Sequence, residues 1–254
     1  MLALVTGASS GIGKEISLYL ASLGYNLIIV ARNKDELEKL KNMVNVEVKT
    51  IILDLSVKEN IFKLYEIVKD EIIDIWVNNA GFGLFGEFLE TDLNKELEMI
   101  NLNVISYHIL TKLYVQDAVK RGSGYLLNVC SSAGFMAGPR LNTYYATKNY
   151  VTKLTMALNE ELKRKHRNVQ VSALCPGPVN TNFNKVAHGD FVMKGASAKE
   201  VARYGIDKLL KRKMLIIPKF SMKSILFLIR FVPYRLQLMI TYKIQYQKEV
   251  KYKK

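Results

Sequence analysis

Short runs of apolar and β-branched residues alternate along the chain with longer segments whose apolar residues repeat at helical spacing. The short runs predict seven strands, at residues 2–6, 27–31, 48–53, 75–78, 125–130, 169–175 and 215–217. In one of the longer segments Val151, Leu154 and Leu158 lie on a single helical stripe that would pack on a sheet. Parallel neighbouring strands need long crossover connections, and the crossover helices cover both faces of the sheet. The alternation therefore predicts the α/β class, with a doubly wound parallel sheet.

The composition favours one domain with a distinct C-terminal segment. A chain of 254 residues that is 49% hydrophobic can bury a full core. Of the formal net charge of +14, residues 208–254 carry +12, because they hold thirteen Lys or Arg and a single acid, Glu249. We therefore expect a domain over residues 1–218 and a basic, apolar extension over residues 219–254.

Cys130 and Cys175 lie in apolar strand-like runs and are expected in the core, and we expect no metal site. Met1 is followed at once by a strand-like run, which predicts no cleavable leader and a cytoplasmic location.

A glycine-rich turn follows the first predicted strand and opens a helical segment. Glycine lets the backbone turn sharply and lets a pyrophosphate approach closely, while the helix amides face the anion. An ordinary strand-to-helix turn is the alternative, but the position after the first strand favours a nucleotide. The candidate phosphate-binding residues are Gly7, Ser9, Ser10, Gly11, Ile12 and Gly13.

The spacing Thr-Gly-x-x-x-Gly-x-Gly at residues 6–13 resembles the short-chain dehydrogenase/reductase family. Three further motifs occur in the family's order: Asn78-Asn79-Ala80-Gly81, Tyr144-x-x-x-Lys148 and Pro176-Gly177. The resemblance implies a Rossmann-type fold and an enzyme that moves a hydride between a nicotinamide cofactor and a carbonyl or secondary alcohol. It also implies further cofactor contacts at Asp54, Leu55, Asn79, Ala80, Gly81, Pro176, Gly177, Val179 and Thr181.

The end of the second predicted strand favours NADP(H) over NAD(H). Ala31 stands where NAD-using members of the family carry an acid, and Arg32 offers a planar fork for a 2′-phosphate. The alternative is that Arg32 is a solvated surface arginine. Ser10 stands where many NADP-using members carry a basic residue.

Tyr144 and Lys148 are four residues apart, so a phenol and an ammonium can converge from one helix face. A nearby cation favours the phenolate, which predicts a lowered pKa for Tyr144. By the resemblance Ser131 and Tyr144 hold the carbonyl oxygen, Lys148 binds the nicotinamide ribose, and Asn103 holds a water beside Lys148. The family spacing selects these residues over their neighbours Tyr145, Ser132 and Asn101.

The extension leaves three interpretations open. It packs on its own domain or a partner subunit and shapes the substrate pocket, it lies on an anionic membrane surface, or it binds nucleic acid, which we rank last. Charges and Pro233 interrupt its apolar run, which argues against a membrane-spanning helix. Residues 236–246 alternate with period two, a strand pattern, whereas the resemblance implies helix.

Apolar side chains in the extension and in residues 183–195, which the resemblance implies are a mobile lid, favour a bulky apolar substrate such as a steroid or lipid. We expect a homo-oligomer, with a dimer favoured over a tetramer. The alternative function is a catalytically silent NADP-binding sensor or membrane-associated scaffold. The complete set of Tyr144, Lys148, Ser131 and Asn103 argues against that alternative.

Overall fold

The fold is a seven-stranded parallel sheet with helices on both faces. The computed structural model describes residues 1–181 and 195–253, with side chains to residue 247. The strands are β1 (Leu2–Thr6), β2 (Asn26–Ala31), β3 (Val48–Ile52), β4 (Ile75–Asn78), β5 (Gly124–Val129), β6 (Val169–Leu174), β7 (Val179–Asn180), β8 (Ala196–Ser197) and β9 (Leu215–Ile216). The large sheet has the order β3-β2-β1-β4-β5-β6-β9, and β7 and β8 form a separate parallel pair. The seven predicted strands are confirmed to within one residue at each end.

The helices form two layers. They are α1 (Gly11–Ser22), α2 (Lys34–Lys41), α3 (Lys58–Val68), α4 (Leu93–Ile100), α5 (Ser106–Arg121), α6 (Asn142–Lys165), α7 (Ala198–Leu210), α8 (Phe220–Leu228) and α9 (Tyr234–Lys253). On β1, Ala3 and Val5 face a core built with α1, α2 and α7, whereas Leu4 faces the opposite core, built with α3, α5 and α6. Strands buried on both faces in this way define the doubly wound fold that the sequence predicts.

The strand order places a crevice at the carboxyl ends of β1 and β4. The chain runs from β1 outward through β2 and β3, and then returns to the other side of β1 as β4. At such a reversal the connections leave the sheet in opposite directions, which opens a binding crevice. The glycine-rich turn after β1 and the Asn-Asn-Ala-Gly motif after β4 both lie at this edge.

The extension is helical where its alternating pattern alone would predict a strand. In α9, Thr241 and Gln245 are buried and four residues apart, which is the helical repeat. Gln237, one turn earlier, donates to the carbonyl oxygens of Ile229 and Val232 at 2.8 and 2.7 Å and so ties α9 to the preceding turn. No helix in the described ranges has the length and apolar content needed to cross a bilayer. Residues 182–194, which include almost all of the predicted lid, lie outside the described residues.

Candidate active site

A cleft of about 410 Å³ lies at the carboxyl edge of the sheet, within the size range of small-molecule sites. Eighteen of the predicted site residues line it: Gly7, Ser9, Ser10, Gly11, Ile12, Arg32, Asp54, Leu55, Asn79, Ala80, Gly81, Ser131, Tyr144, Lys148, Pro176, Gly177, Val179 and Thr181. The other two, Gly13 and Asn103, lie behind this wall and support it.

The turn after β1 is shaped by backbone conformations that favour glycine. Gly7 and Gly11 have φ values of +64° and +55°, in the left-handed region. A Cβ at Gly7 would lie 2.8 Å from the Cα of Ala80, and a Cβ at Gly13 would collide with the carbonyl oxygen of Gly7 and the amide of Asn79. The turn is therefore a cradle that side chains would fill, and it fits the close approach of a pyrophosphate to the first turn of α1.

Hydrogen bonds fasten this turn to the loop after β4. The Thr6 hydroxyl accepts from the backbone N–H groups of Asn79 and Ala80 at 2.9 and 3.2 Å. The Asn79 amide in turn donates to the carbonyl oxygens of Thr6 and Gly7 at 3.0 and 3.1 Å. Both walls of the crevice are thus held in one geometry, which a preorganised nucleotide site requires.

Arg32 lies at the outer end of the cleft, immediately after β2. Its side chain is 61% exposed, and its guanidinium lies 3.4 Å from Asp54 and 3.5 Å from Glu98. Burial raises the pKa of Asp54, but hydrogen bonds from Ser56 and the charge of Arg32 outweigh it, so the pKa lies below its usual range. Arg32 is a surface arginine, as the alternative supposed, and it is also a cation on the rim of the cleft.

Three candidate catalytic side chains converge at the inner end of the cleft. Tyr144 and Lys148 project from α6 and are 8% and 4% exposed, and the Lys148 ammonium lies 5.9 Å from the centroid of the Tyr144 ring. Ser131 follows β5 and is hydrogen-bonded to the Tyr144 side chain. A phenol, a hydroxyl and an amine therefore share one small, nearly dry volume.

The pKa values here differ from the expectation that Lys148 depresses the pKa of Tyr144. Burial raises the pKa of Tyr144 well above its usual value, with the hydrogen bond to Ser131 acting in the opposite direction. Burial also lowers the pKa of Lys148 to about 8. Desolvation disfavours both charged forms and is the largest cause of both shifts.

Asn103 holds the loop that carries Gly81. It lies in a π-helical turn, Asn101–Ile105, between α4 and α5, a geometry that often marks functional positions. Its side chain donates to the Phe82 carbonyl oxygen at 2.8 Å and accepts from the Phe82 N–H at 3.2 Å. Its amide also donates to the Thr147 hydroxyl at 3.2 Å. Asn103 is fully buried, whereas its neighbour Asn101 is exposed.

The inner end of the cleft also contains residues that no motif indicated. Phe82, Phe85, Leu141 and Tyr145 line it with apolar surface and pack in one cluster with Tyr144. The hydroxyl of Tyr145 accepts a 2.6 Å hydrogen bond from Gln245 of α9, one hundred residues later in the chain. Gln245 is 1% exposed, and in the described part of the chain its side-chain oxygen has no hydrogen-bond partner. Gln245 belongs to no local motif, so only its contact with Tyr145 connects it to the site.

Comparison with known proteins places this geometry among short-chain dehydrogenases. Residues 1–190 match the family model described as short chain dehydrogenase. The chain is 34% identical over 192 residues to the very-long-chain 3-oxoacyl-CoA reductase of Rattus norvegicus, an alignment that covers 72% of this chain and 61% of that enzyme.

Solved structures agree over a larger part of the chain. A short-chain dehydrogenase from Sphingobium yanoikuyae in complex with NADPH superposes with a TM-score of 0.81 at 27% identity, covering 86% of this chain and 88% of the other. The bulky-bulky ketone specific alcohol dehydrogenase from Comamonas testosteroni superposes with a TM-score of 0.78 at 25% identity, covering 90% and 91%.

Proposed function

This chain belongs to the short-chain dehydrogenase/reductase family, and from that premise we propose that it is an NADP(H)-dependent oxidoreductase that interconverts a bulky apolar ketone and the corresponding secondary alcohol. One observation carries the proposal: Ser131, Tyr144 and Lys148 meet at the inner end of a cleft whose outer end is a glycine cradle. Family membership makes the chain an oxidoreductase.

The chain's own groups supply acid–base catalysis and orientation. The bound nicotinamide would supply the hydride. Ser131 and Tyr144 would hold the substrate oxygen by two hydrogen bonds, and Tyr144 would donate its proton to the alkoxide as negative charge develops there. Because burial keeps the Tyr144 phenol protonated, the group is prepared to act as an acid for reduction. Lys148 would bind the ribose hydroxyls, and Asn103 would fix the loop beside it.

The preference for NADP(H) rests on the residues after β2. Arg32 places a guanidinium at the cleft rim, and Ala31 leaves that position without the carboxylate that would repel a 2′-phosphate. The neighbouring carboxylates of Asp54 and Glu98 hold the guanidinium at the rim with exposed ion pairs, which are weak and exchangeable. The Sphingobium neighbour was solved in complex with NADPH, so a related protein of this fold accepts that cofactor.

The substrate class rests on the apolar inner wall. Phe82, Phe85 and Leu141 pack in one cluster with Tyr144 and line the cleft, and such a wall favours steroid or lipid ketones over sugars. The rat relative acts, by its name, on a long-chain acyl substrate, and the Comamonas neighbour on bulky ketones. Both names fit an apolar substrate pocket here.

The test is a substrate screen with a catalytic variant. NADPH absorbance is followed with ketosteroids, acyl ketones and small ketones for the wild type, Tyr144→Phe and the surface control Tyr150→Phe. We expect the wild type to turn over bulky ketones. The turnover rate should fall by at least about a hundredfold in Tyr144→Phe and should be unchanged in Tyr150→Phe. Full turnover by Tyr144→Phe would refute the assignment.

We also propose that the chain forms a homodimer. Leu93 and Leu97 of α4 are exposed although they are large and apolar, and a partner subunit would cover them. Sedimentation velocity of the wild type and Leu97→Ser should show a dimer that weakens in the variant. A monomeric wild type would contradict this part of the proposal.

A further inference from the structure

Helix α9 packs on the protein through its polar side and leaves its apolar side exposed. Its inward residues are polar, namely Gln237, Thr241 and Gln245, spaced at four residues. Its outward residues are large and apolar, and they include Leu236, Leu238, Met239 and Ile240. A helix on the surface of a water-soluble domain normally has the reverse pattern, with its apolar stripe toward the core. The outer face of α9 is therefore shaped to meet an apolar environment.

Helix α8 and the turn after it continue this apolar surface. Phe227, Leu228 and Phe231 are exposed, Phe231 to 74% and Met239 of α9 to 70%. We call the exposed apolar side chains of residues 220–246 the outer face of the extension. About half of all large apolar residues exposed in the described structure belong to it, which far exceeds the isolated surface apolar residues of ordinary proteins.

Cations without acids are interspersed with the apolar residues of the outer face. Lys219, Lys223, Arg230, Arg235 and Lys243 are all exposed, and among the described residues none of them forms an ion pair. The sequence has no Asp or Glu from residue 208 to residue 248. A second copy of the same face would bring like charges together as it buried them, whereas a negatively charged lipid surface would neutralise them.

We propose that the outer face of the extension docks this protein on anionic lipid membranes, with the apolar side chains in the headgroup–acyl boundary and the five cations against lipid phosphates. The protein does not span the bilayer in this arrangement. It lies on the surface, as interfacial helices rich in Lys, Arg and large apolar side chains do.

Docking would bring the candidate substrate pocket to the lipid. From α8, Met222 lies against Gly177 of the cleft wall, where an added Cβ would be 2.6 Å from its terminal methyl. From α9, Gln245 bonds Tyr145 of the inner cleft, and the aromatic rings of Tyr242 and Tyr246 flank Arg140. The extension is thus fixed to the pocket end of the domain. This consequence, a ketone drawn from the bilayer, rests on the proposed function, whereas docking itself does not.

The test of docking is cosedimentation with sucrose-loaded vesicles, made either of phosphatidylcholine alone or of phosphatidylcholine with about one part in three of phosphatidylglycerol. The wild type should bind the anionic vesicles and not the neutral ones, and high salt should release it. Replacing the five cations with Gln should weaken binding by about fivefold for each charge that touches lipid. A triple variant, Phe227→Ser, Phe231→Ser and Met239→Ser, should abolish it.

Matched control variants distinguish binding through the outer face from nonspecific adsorption of the protein to vesicles. The double variant Lys163→Gln, Lys165→Gln removes exposed cations from α6. The variant Ile72→Ser removes an exposed apolar side chain that is distant in sequence from the extension. Both variants should bind anionic vesicles as the wild type does. Failure of the wild type to sediment with anionic vesicles at low salt would overturn the proposal. A triple variant that binds anionic vesicles as well as the wild type does would also overturn it. So would a wild type that forms a dimer and binds no vesicles, together with a triple variant that is monomeric, because the outer face would then be a subunit contact.

One further measurement connects docking to catalysis. Turnover of a ketone dissolved in the vesicles should fall in the triple variant, while turnover of a small water-soluble ketone should not. If neither ketone is turned over by the wild type while vesicle binding holds, the proposed function fails and the docking proposal stands.

Discussion

Replacing Lys148 with methionine should abolish catalysis and yet stabilise the protein. Lys148 is buried, its ammonium lies 5.1 Å from the centroid of the Tyr107 ring, and it donates a 3.0 Å hydrogen bond to the Val129 carbonyl oxygen. Burial lowers its pKa from 10.5 to about 8. Since the folded chain holds this proton less tightly than the unfolded chain, the charged lysine opposes folding.

The size of the effect follows from the two pKa values. A fall from 10.5 to about 8 corresponds to about 3 kcal/mol of destabilisation at pH 7, where the group is charged in both states. Methionine has a similar length and no charge to desolvate. The Val129 carbonyl oxygen keeps a second donor, the Tyr107 hydroxyl at 3.2 Å, so the substitution leaves no buried acceptor unpaired.

The difference in stability between Lys148→Met and the wild type depends on pH. Between pH 8 and 10.5 the folded state loses the proton before the unfolded state does, so the wild type gains stability relative to the variant as pH rises. Lys148→Met should therefore be more stable by up to about 3 kcal/mol at pH 7, and by less than half of that at pH 9.5.

The assay is urea unfolding of the cofactor-free protein, followed by far-UV circular dichroism at both pH values. Lys112→Met, an exposed lysine on α5, is the control and should change stability by less than about 0.5 kcal/mol. A variant less stable than the wild type at pH 7, or a difference that does not shrink at pH 9.5, would refute the reasoning from burial.

Three other substitutions test the cofactor cradle and the pocket. Arg32→Ala should raise the KM for NADPH by at least about tenfold and leave the KM for NADH nearly unchanged, because a charged hydrogen bond to a phosphate is lost; equal changes would argue against a 2′-phosphate contact. Gly13→Ala should abolish NADPH binding in a fluorescence titration or prevent folding. An added Cβ at Gly24 meets open space, so Gly24→Ala should lower the free energy of unfolding by only about 1 kcal/mol, because of its positive φ. Tyr145→Phe should lower the free energy of unfolding by about 1–3 kcal/mol, since it leaves a buried amide of α9 without a partner; thermal unfolding that matches the exposed control Tyr150→Phe would contradict this.

The sequence predicts the large sheet well because each strand is an apolar run between polar turns, a signal that is local. The pair β7 and β8 was not predicted, because Val179–Asn180 and Ala196–Ser197 each hold one apolar and one polar residue and form no apolar run. The helix α9 is ambiguous for a different reason. Its alternating apolar residues would suit a strand, and the helix becomes evident only when Thr241 and Gln245 are found to pack on the domain.

The candidate site likewise contains residues that local sequence motifs predict and residues that only long-range contacts bring together. The residues of the four motifs are close in sequence to the turns that position them, so spacing alone brings them to one edge of the sheet. The contact of Tyr145 with Gln245 joins residues far apart in the chain, which no spacing predicts. The raised pKa of Tyr144 also needs the structure, because residue order shows the neighbouring cation and not the extent of desolvation.

The most direct test of the account is the fate of the hydride. Wild type and Tyr144→Phe are incubated with a bulky ketone and NADPH that carries deuterium at both hydrogen positions of nicotinamide C4, and the alcohol is analysed by mass spectrometry. The account predicts one deuterium on the carbinol carbon for the wild type and almost no product for the variant, which should still bind NADPH. Unlabelled alcohol, or labelled alcohol formed equally fast by Tyr144→Phe, would contradict it.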